Sequence, residues 1–246
     1  MTAAPFSDAE FPAAAAALAH AADDLFAVLE ILAGRFVDVW TQVTGPNASK
    51  EFVTADIAEL QPDVFAAIDG NPAFESAGFV LVEGLVADSS RCLEWWHRAF
   101  SGDHDQIAFN LEPGTTDCYD YYSMEWFAAA VNGGRRFVSG PLIDLPCADV
   151  YILTFSQPIV ADGRLLGVAG ADVAVSRFEH RILPPLRTLP RPTLLVNDER
   201  RVIASNDAMF TTGEKLPHRP GADNSWTHVL PVTPDLGWLL ASGHTA

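Results

Sequence analysis

The chain has 246 residues, of which 49% are hydrophobic and 19% are charged, a balance that predicts a folded globular protein. Its 15 basic and 32 acidic residues leave a formal net charge of −17. Binding to nucleic acid or to an anionic membrane surface depends on basic side chains, so this charge argues against both classes of partner. The same charge favours the approach of cationic ligands.

Motifs for catalysis and for metal binding are missing from the sequence. Cys92, Cys118 and Cys147 form no CxxC pair, and the seven histidines show no metal-ligand spacing. Nucleophile-elbow, zinc-protease and phosphate-loop motifs do not occur. We therefore expect no catalytic residue, no metal and no cofactor. Because neither a signal peptide nor a membrane-spanning run is recognisable, a cytoplasmic location is also expected.

A long amphipathic helix is predicted from Pro12 to Val43. Its apolar residues recur at intervals of three, four or seven positions: Leu18, Leu25, Leu29, Leu32, Phe36, Trp40 and Val43. Ser7 or Asp8 is expected to cap its start, and Gly45 to Asn47 to end it. At about 45 Å, such a helix either packs along its own domain or contributes part of its stripe to a homodimer.

A second helix is predicted from Ser49 to Ile68, bent or divided at Pro62. Strands follow it. The apolar runs are 79–82, 93–96, 150–160 and 165–175, with a hairpin at Asp162–Gly163, and then 193–196, 202–205, 226–231 and 236–240. Prolines between Pro184 and Pro192 predict a boundary before the last four strands.

The segment from Tyr119 to Phe127 resembles the Tyr-Asp-Pro-Arg-x-Arg-Pro-Trp-Tyr signature of Cache sensor domains, a PAS-like family. Further pieces of the family pattern follow in order. They are a short helix (128–132), the stretch from Val138 to Asp144, the strand from Tyr151 to Pro158, the Asp162–Gly163 hairpin and Gly167 to Asp172. The resemblance extends over 74–179, and 190–246 is similar to a shortened second PAS-like unit.

The resemblance implies an α+β fold with a long N-terminal helix, a PAS-like antiparallel sheet and a smaller second PAS-like subdomain. The expected domains are 1–70 (helical), 71–183 (ligand-binding) and 190–246 (truncated PAS-like). The implied ligand-binding residues are Tyr119, Tyr121, Met124, Trp126, Phe127, Asp144 and Asp172. In relatives that bind amino acids, counterparts of Tyr119, Trp126, Asp144 and Asp172 surround the ammonium group of the ligand.

The part of the signature that holds a ligand carboxylate is altered in this sequence. The family arginine is replaced by Met124, which cannot pair with a carboxylate, and Phe127 lacks the tyrosine hydroxyl. Two aspartates and several aromatic rings remain, and both attract cations. The sequence therefore favours a small amine or a quaternary ammonium ion as the ligand.

Other interpretations of the same residues stay open at this stage. Trp126 and Phe127 are also typical core aromatics, Asp144 is also typical of a turn, and Asp172 is also typical of a sheet acceptor. Arg135 or Arg136 would suit a neutral or anionic ligand. Three functions follow: a sensor that signals to a separate downstream protein, a hydrolase of an amine derivative using Asp144 or Asp172, or a protein-interaction domain. Trp95 and Trp96 are expected on opposite faces of a strand, and the sequence leaves open which of them would close the ligand site.

Overall fold

The computed structural model describes residues 9–45, 50–99, 101–143 and 151–244. Several predicted features lie outside these ranges: the helix caps Ser7 and Asp8, Asn47 of the predicted stop, Cys147 and the predicted ligand residue Asp144. In the described part of the chain, no helix is long and apolar enough to cross a membrane.

Five helices and ten strands form the described structure. The helices are α1 (Glu10–Thr44), α2 (Thr54–Ile57), α3 (Gln61–Gly70), α4 (Glu125–Gly133) and α5 (Val175–Arg187), with 3₁₀ turns at Ala58–Leu60 and Tyr121–Ser123. The strands are β1 (Phe74–Leu81), β2 (Leu93–Arg98), β3 (His104–Gln106), β4 (Phe137–Ile143), β5 (Tyr151–Ala161), β6 (Arg164–Ala174), β7 (Thr193–Val196), β8 (Val202–Ser205), β9 (Trp226–Thr233) and β10 (Trp238–His244).

The strands form two sheets, as the predicted α+β class requires. The larger sheet has the order β3-β2-β1-β6-β5-β4, and the smaller has the order β8-β7-β10-β9. Asp162 and Gly163, both with positive φ, form the hairpin between β5 and β6. The predicted helices and hairpins are confirmed, and the predicted second helix is divided, with Pro62 in the first turn of α3.

The described residues cluster into two compact units that alternate along the chain. One unit draws on Met1–Leu25, Gly140–Leu153 and Ala174–Ala246, and the other on Phe26–Ser139 and Thr154–Val173. The predicted domains were instead continuous segments, and their boundaries stay a prediction.

Within the unit that contains most of the larger sheet, α1 covers one sheet face. Phe26 packs on Phe155 of β5 at 5.1 Å between ring centroids, and Phe36 packs on Phe79 of β1 at 5.4 Å. The apolar stripe of α1 is buried from Leu18 to Phe36, whereas Trp40 and Val43 are half-buried. This burial supports packing of the stripe within the chain, and the homodimer stays a prediction.

Helix α5 is an element that the sequence reading missed. The prolines predict a boundary in the sequence, and the helix continues through the first two of them, Pro184 and Pro185, to Arg187. Neither proline can donate the helical hydrogen bond to the carbonyl four residues earlier, so the helix persists here at a cost that its packing must offset. Its buried residues, Val175, Phe178, Ile182 and Leu186, follow helical spacing and anchor it. Within this unit, Phe178 lies 6.3 Å from Trp238 of β10.

Candidate functional site

The candidate site lies on the face of the larger sheet opposite α1. Side chains alternate along a strand, so directly paired residues of neighbouring strands share one face. Ser76 of β1 pairs with Asp172 of β6, and Gly78 pairs with both Trp95 of β2 and Gly170 of β6. These residues therefore form a continuous surface across the middle of the sheet.

The segment from residue 119 to residue 133, named here the cover segment, packs on this face. Its buried residues Tyr121, Trp126, Phe127, Ala129 and Ala130 form one apolar cluster with residues of the sheet. The sheet contributes Val80, Trp95, Phe137 and Val168, and Tyr119 and Met124 pack at the edge of the cluster. The structure thus brings the described members of the predicted site, Asp172 excepted, into one cluster.

Individual members of the predicted set differ in exposure. Tyr121 and Phe127 are fully buried, Trp126 is nearly so, and Tyr119 and Met124 are half-buried. The hydroxyl of Tyr121 donates a hydrogen bond to Leu81 O at 3.0 Å, and burial raises the pKa of this tyrosine. The ring of Phe127 packs edge-on against Tyr121 at 5.0 Å. Tyr121 and Phe127 therefore pack the cover segment against the sheet. Direct contact with a ligand stays a prediction for all members of the predicted site.

The start of α4 is fixed by backbone and side-chain bonds. Met124 is the N-cap residue, and its carbonyl accepts hydrogen bonds from the N–H groups of Phe127 and Ala128. Ser156 of β5 donates from its hydroxyl to Trp126 O and to Phe137 O, both at 3.3 Å. The sheet therefore holds the position of Trp126.

Asp172 is the most informative polar group on this face. Its carboxylate accepts hydrogen bonds from Ser76 Oγ at 2.7 Å and Trp95 Nε1 at 3.0 Å, both to Oδ2, and from Thr154 Oγ1 at 2.6 Å to Oδ1. Protein atoms enclose the carboxylate, and burial raises the pKa of Asp172 against the lowering effect of these three donors. Part of the residue nevertheless stays accessible to solvent.

All three donors to Asp172 are electrically neutral. Among the described residues, no Lys, Arg or His forms an ion pair with it or contributes to its pKa shift. A carboxylate removed from water in this way is stabilised by a cation, and no side chain of the described ranges supplies one there. Within the described ranges, the site therefore presents an enclosed carboxylate without a positively charged partner, and a cation placed beside it would favour its ionised form.

Trp95 connects Asp172 to the aromatic cluster. Its indole N–H is shared between Asp172 Oδ2 and Ser76 Oγ, the latter at 2.8 Å. Trp96 points to the opposite face, where its ring lies 5.2 Å from that of Phe65. Trp95 is therefore the one of the two that shares a face with Asp172, and its contact with a ligand stays a prediction.

Two glycines of β6 make this packing possible. A Cβ atom on Gly170 would lie 2.8 Å from Cη2 of Trp95, and one on Gly167 would lie 2.4 Å from Val80 O. The glycine pair in the sequence Gly167–Gly170 marks close packing rather than a phosphate-binding loop, as expected from a pair inside a strand.

The arginines nearest to the cover segment are occupied by other groups. Arg91 contacts Glu83 Oε1 at 3.0 Å and Asp120 Oδ1 at 3.2 Å, and its guanidinium lies 5.3 Å from the ring centre of Tyr122. Arg135 stacks on Phe137, and Arg136 stacks on Phe26. Neither of the latter two is hydrogen-bonded to Asp172.

Residues 91–180 match the family model described as "Methyl-accepting chemotaxis protein-like, first PDC sensor domain". No curated protein matches the chain by sequence. The matched residues include the candidate site from Trp95 to Asp172.

Solved sensor structures share the fold at low sequence identity. "Methyl-accepting Chemotaxis protein X" is 13% identical with a TM-score of 0.58, covering 96% of this chain and 97% of its own. The sensory domain of the Campylobacter jejuni chemoreceptor Tlp3 is 11% identical with a TM-score of 0.60, covering 95% and 89%. The ligand-binding domain of the Pseudomonas aeruginosa PAO1 amino acid chemoreceptor PctC, in complex with GABA, is 20% identical with a TM-score of 0.53, covering 94% and 95%.

These neighbours are sensory ligand-binding domains rather than enzymes, and the chain has their PAS-like α+β fold. The family match over residues 91–180 and the shared fold together confirm the resemblance to Cache-type sensor domains that the sequence indicates.

Proposed function

We propose that this protein is a non-catalytic sensor that binds a small cationic amine on the covered face of the larger sheet, with Asp172 as the partner of the ammonium group. The signal would pass to a separate downstream protein. The family match and the fold support the sensor class. The choice of an amine as the ligand is based on the surroundings of Asp172.

The observation that carries the proposal is the state of Asp172. Its carboxylate is enclosed and held in place by Ser76, Trp95 and Thr154, none of which is charged. An ammonium ion would supply the missing positive charge without displacing these donors. Because side chains of the sheet hold the carboxylate in place, little conformational freedom would be lost on binding.

Aromatic and apolar residues of the cover segment suit the remainder of such a ligand. Tyr119 and Trp126 present π-systems that attract cations by about 0.5–2 kcal/mol each. Met124, half-buried at the cluster edge, suits an alkyl group. Tyr121, Phe127 and Asp144 belong to the proposed site on the strength of the resemblance.

Charge around the cover segment argues against a carboxylate on the ligand. Met124 replaces the family arginine, and Arg91 is already held by Glu83 and Asp120. A ligand carboxylate would have to break one of these ion pairs. We therefore favour an amine over an amino acid such as the GABA bound by PctC.

Thermal denaturation with panels of amines, amino acids and simple carboxylates tests this function. A ligand at 100 times its Kd adds about 2.7 kcal/mol, which raises the Tm of a chain this size by roughly 5–10 °C. We expect amines to produce this shift in the wild type and in Asp105→Ala, which removes an exposed carboxylate from β3, but not in Asp172→Ala.

Stabilisation by carboxylates alone would contradict the amine proposal. Equal stabilisation of Asp172→Ala by amines would show that the ligand lies elsewhere. Turnover of a stabilising compound would favour the hydrolase interpretation. A homodimer through α1 and a cytoplasmic location stay predictions from the sequence.

A further inference from the structure

We infer that the Asp172 carboxylate selects ammonium ions that carry at least one N–H and discriminates against quaternary ammonium ions. This inference rests on the proposed function and deepens it, because it names the class of amine. The inference is based on counting the hydrogen bonds that the described residues donate to the two oxygens of the Asp172 carboxylate.

A carboxylate has two oxygens, and each can accept about two hydrogen bonds. On Asp172, Oδ2 accepts from both Ser76 Oγ and Trp95 Nε1, so that oxygen is filled. Oδ1 accepts only from Thr154 Oγ1 at 2.6 Å within the described part of the chain. One acceptor position therefore remains, and it is on Oδ1.

Trp95 is the positioning residue in this arrangement. Its ring occupies the space over Gly170, where a side chain would leave no room for it. Its N–H fills the second position on Oδ2 and anchors the Ser76 hydroxyl. Together with Thr154, which is itself buried, it fixes the carboxylate so that the open position does not rotate away.

A protonated amine satisfies this position directly. An N⁺–H···O⁻ bond brings nitrogen to about 2.7–2.9 Å from the oxygen. A quaternary ion has no N–H, and its methyl carbons stop about 3.3–3.6 Å from an oxygen, so its charge stays farther away. It also excludes water from Oδ1 without replacing the hydrogen bond. We expect a loss in affinity of about tenfold or more for this difference.

Isothermal titration calorimetry with two matched pairs of ligands tests the inference. The pairs are trimethylammonium with tetramethylammonium, and N,N-dimethylethanolammonium with choline, at a pH where every member is a cation. Within each pair the ligands differ by one methyl group in place of the N–H. The wild type should bind the N–H member about tenfold or more tightly.

Two variants assign the discrimination to the carboxylate. Asp172→Ala should reduce the affinity ratio within each pair to nearly one. Thr154→Val, which keeps the side-chain shape and vacates a second position on Oδ1, should keep the ratio or increase it. Circular dichroism confirms folding before each titration, and the Thr154 variant tests the inference if the alanine variant does not fold.

The possible results distinguish the N–H selectivity from the proposed amine-sensing function. Equal or tighter binding of the quaternary members by the wild type would overturn the N–H selectivity while leaving the amine sensor intact. A ratio unchanged in Asp172→Ala, or lost in Thr154→Val, would also overturn it. If the wild type binds neither member of either pair and no amine in the thermal denaturation panel stabilises it, the amine proposal itself fails.

Discussion

At the scale of single residues, the packing of Trp95 on Gly170 and its hydrogen bond to Asp172 depend on each other. The absence of a side chain at Gly170 lets the indole of Trp95 lie against β6, and the indole N–H then reaches Asp172 at 3.0 Å. Ser76 completes the arrangement from β1 by donating to the same carboxylate oxygen. A change at the glycine should therefore disturb both packing and the polar site.

Substitution of Gly170 by alanine should lower the free energy of unfolding by about 1–3 kcal/mol, because the new methyl group would meet the Trp95 ring at 2.8 Å and Phe155 O at 3.1 Å. Chemical denaturation measures this change, and tryptophan fluorescence should report displacement of the ring. Gly34→Ala is the matched control.

Gly34 is exposed on α1, and nothing lies within 4 Å of a Cβ atom built there. Alanine at this position should raise the free energy of unfolding by about 0.5–1 kcal/mol, because glycine is less favourable in a helix. Equal effects of the two substitutions would mean that the contact between Gly170 and Trp95 is not tight.

Two of the residues that hold Asp172 are distant from it along the chain. Ser76 and Trp95 lie 96 and 77 positions from Asp172. The sequence identified Asp172 through the resemblance, but only strand pairing shows which polar residues meet it. The sequence offers one signal for such partners, namely a polar residue within an apolar strand, such as Thr154 in β5.

At the scale of elements, the cover segment is fastened to the first hairpin of the sheet. Tyr121 donates to Leu81 O, at the end of β1, and Tyr122 accepts from the backbone N–H of Glu83. Arg91 pairs with Glu83 and with Asp120 at the start of the 3₁₀ turn. These bonds place α4 over the sheet face that holds Asp172.

Tyr121→Phe should therefore lower the free energy of unfolding by about 1–2 kcal/mol, since it leaves the buried Leu81 carbonyl without its side-chain donor. Tyr122→Phe is the matched control, because the exposed N–H of Glu83 can bond to water and the expected loss is below about 0.5 kcal/mol. Urea denaturation of both variants measures the difference. A larger loss in Tyr122→Phe than in Tyr121→Phe would contradict this role of the buried hydroxyl.

Elements with strong local patterns were predictable, and those that depend on tertiary packing were not. The stripe of α1 and the Asp162–Gly163 hairpin are encoded by spacing and by turn chemistry, and both are confirmed. Helix α5 was missed because proline is a strong local signal against helix, whereas burial of Phe178, Ile182 and Leu186 outweighs it.

At the scale of the whole molecule, charge and fold are consistent with the same function. A net charge of −17 concentrates cations near the surface, and the sensor fold places an enclosed carboxylate on a covered sheet face. The raised pKa of Asp172 makes ligand binding depend on pH. An ammonium ion stabilises the ionised carboxylate, so binding should strengthen as pH rises through the pKa of Asp172 in the free protein and weaken below it.

The most direct test of the amine sensor is the affinity of its most stabilising amine for the wild type and for Asp172→Asn, measured by calorimetry from about pH 4 to about pH 8. Asparagine keeps the shape of the side chain and removes its charge. We predict at least ~30-fold weaker binding to the variant at neutral pH, and an increase of affinity with pH in the wild type alone. Equal affinities at neutral pH, or the same pH dependence in both proteins, would contradict recognition of a cation by Asp172.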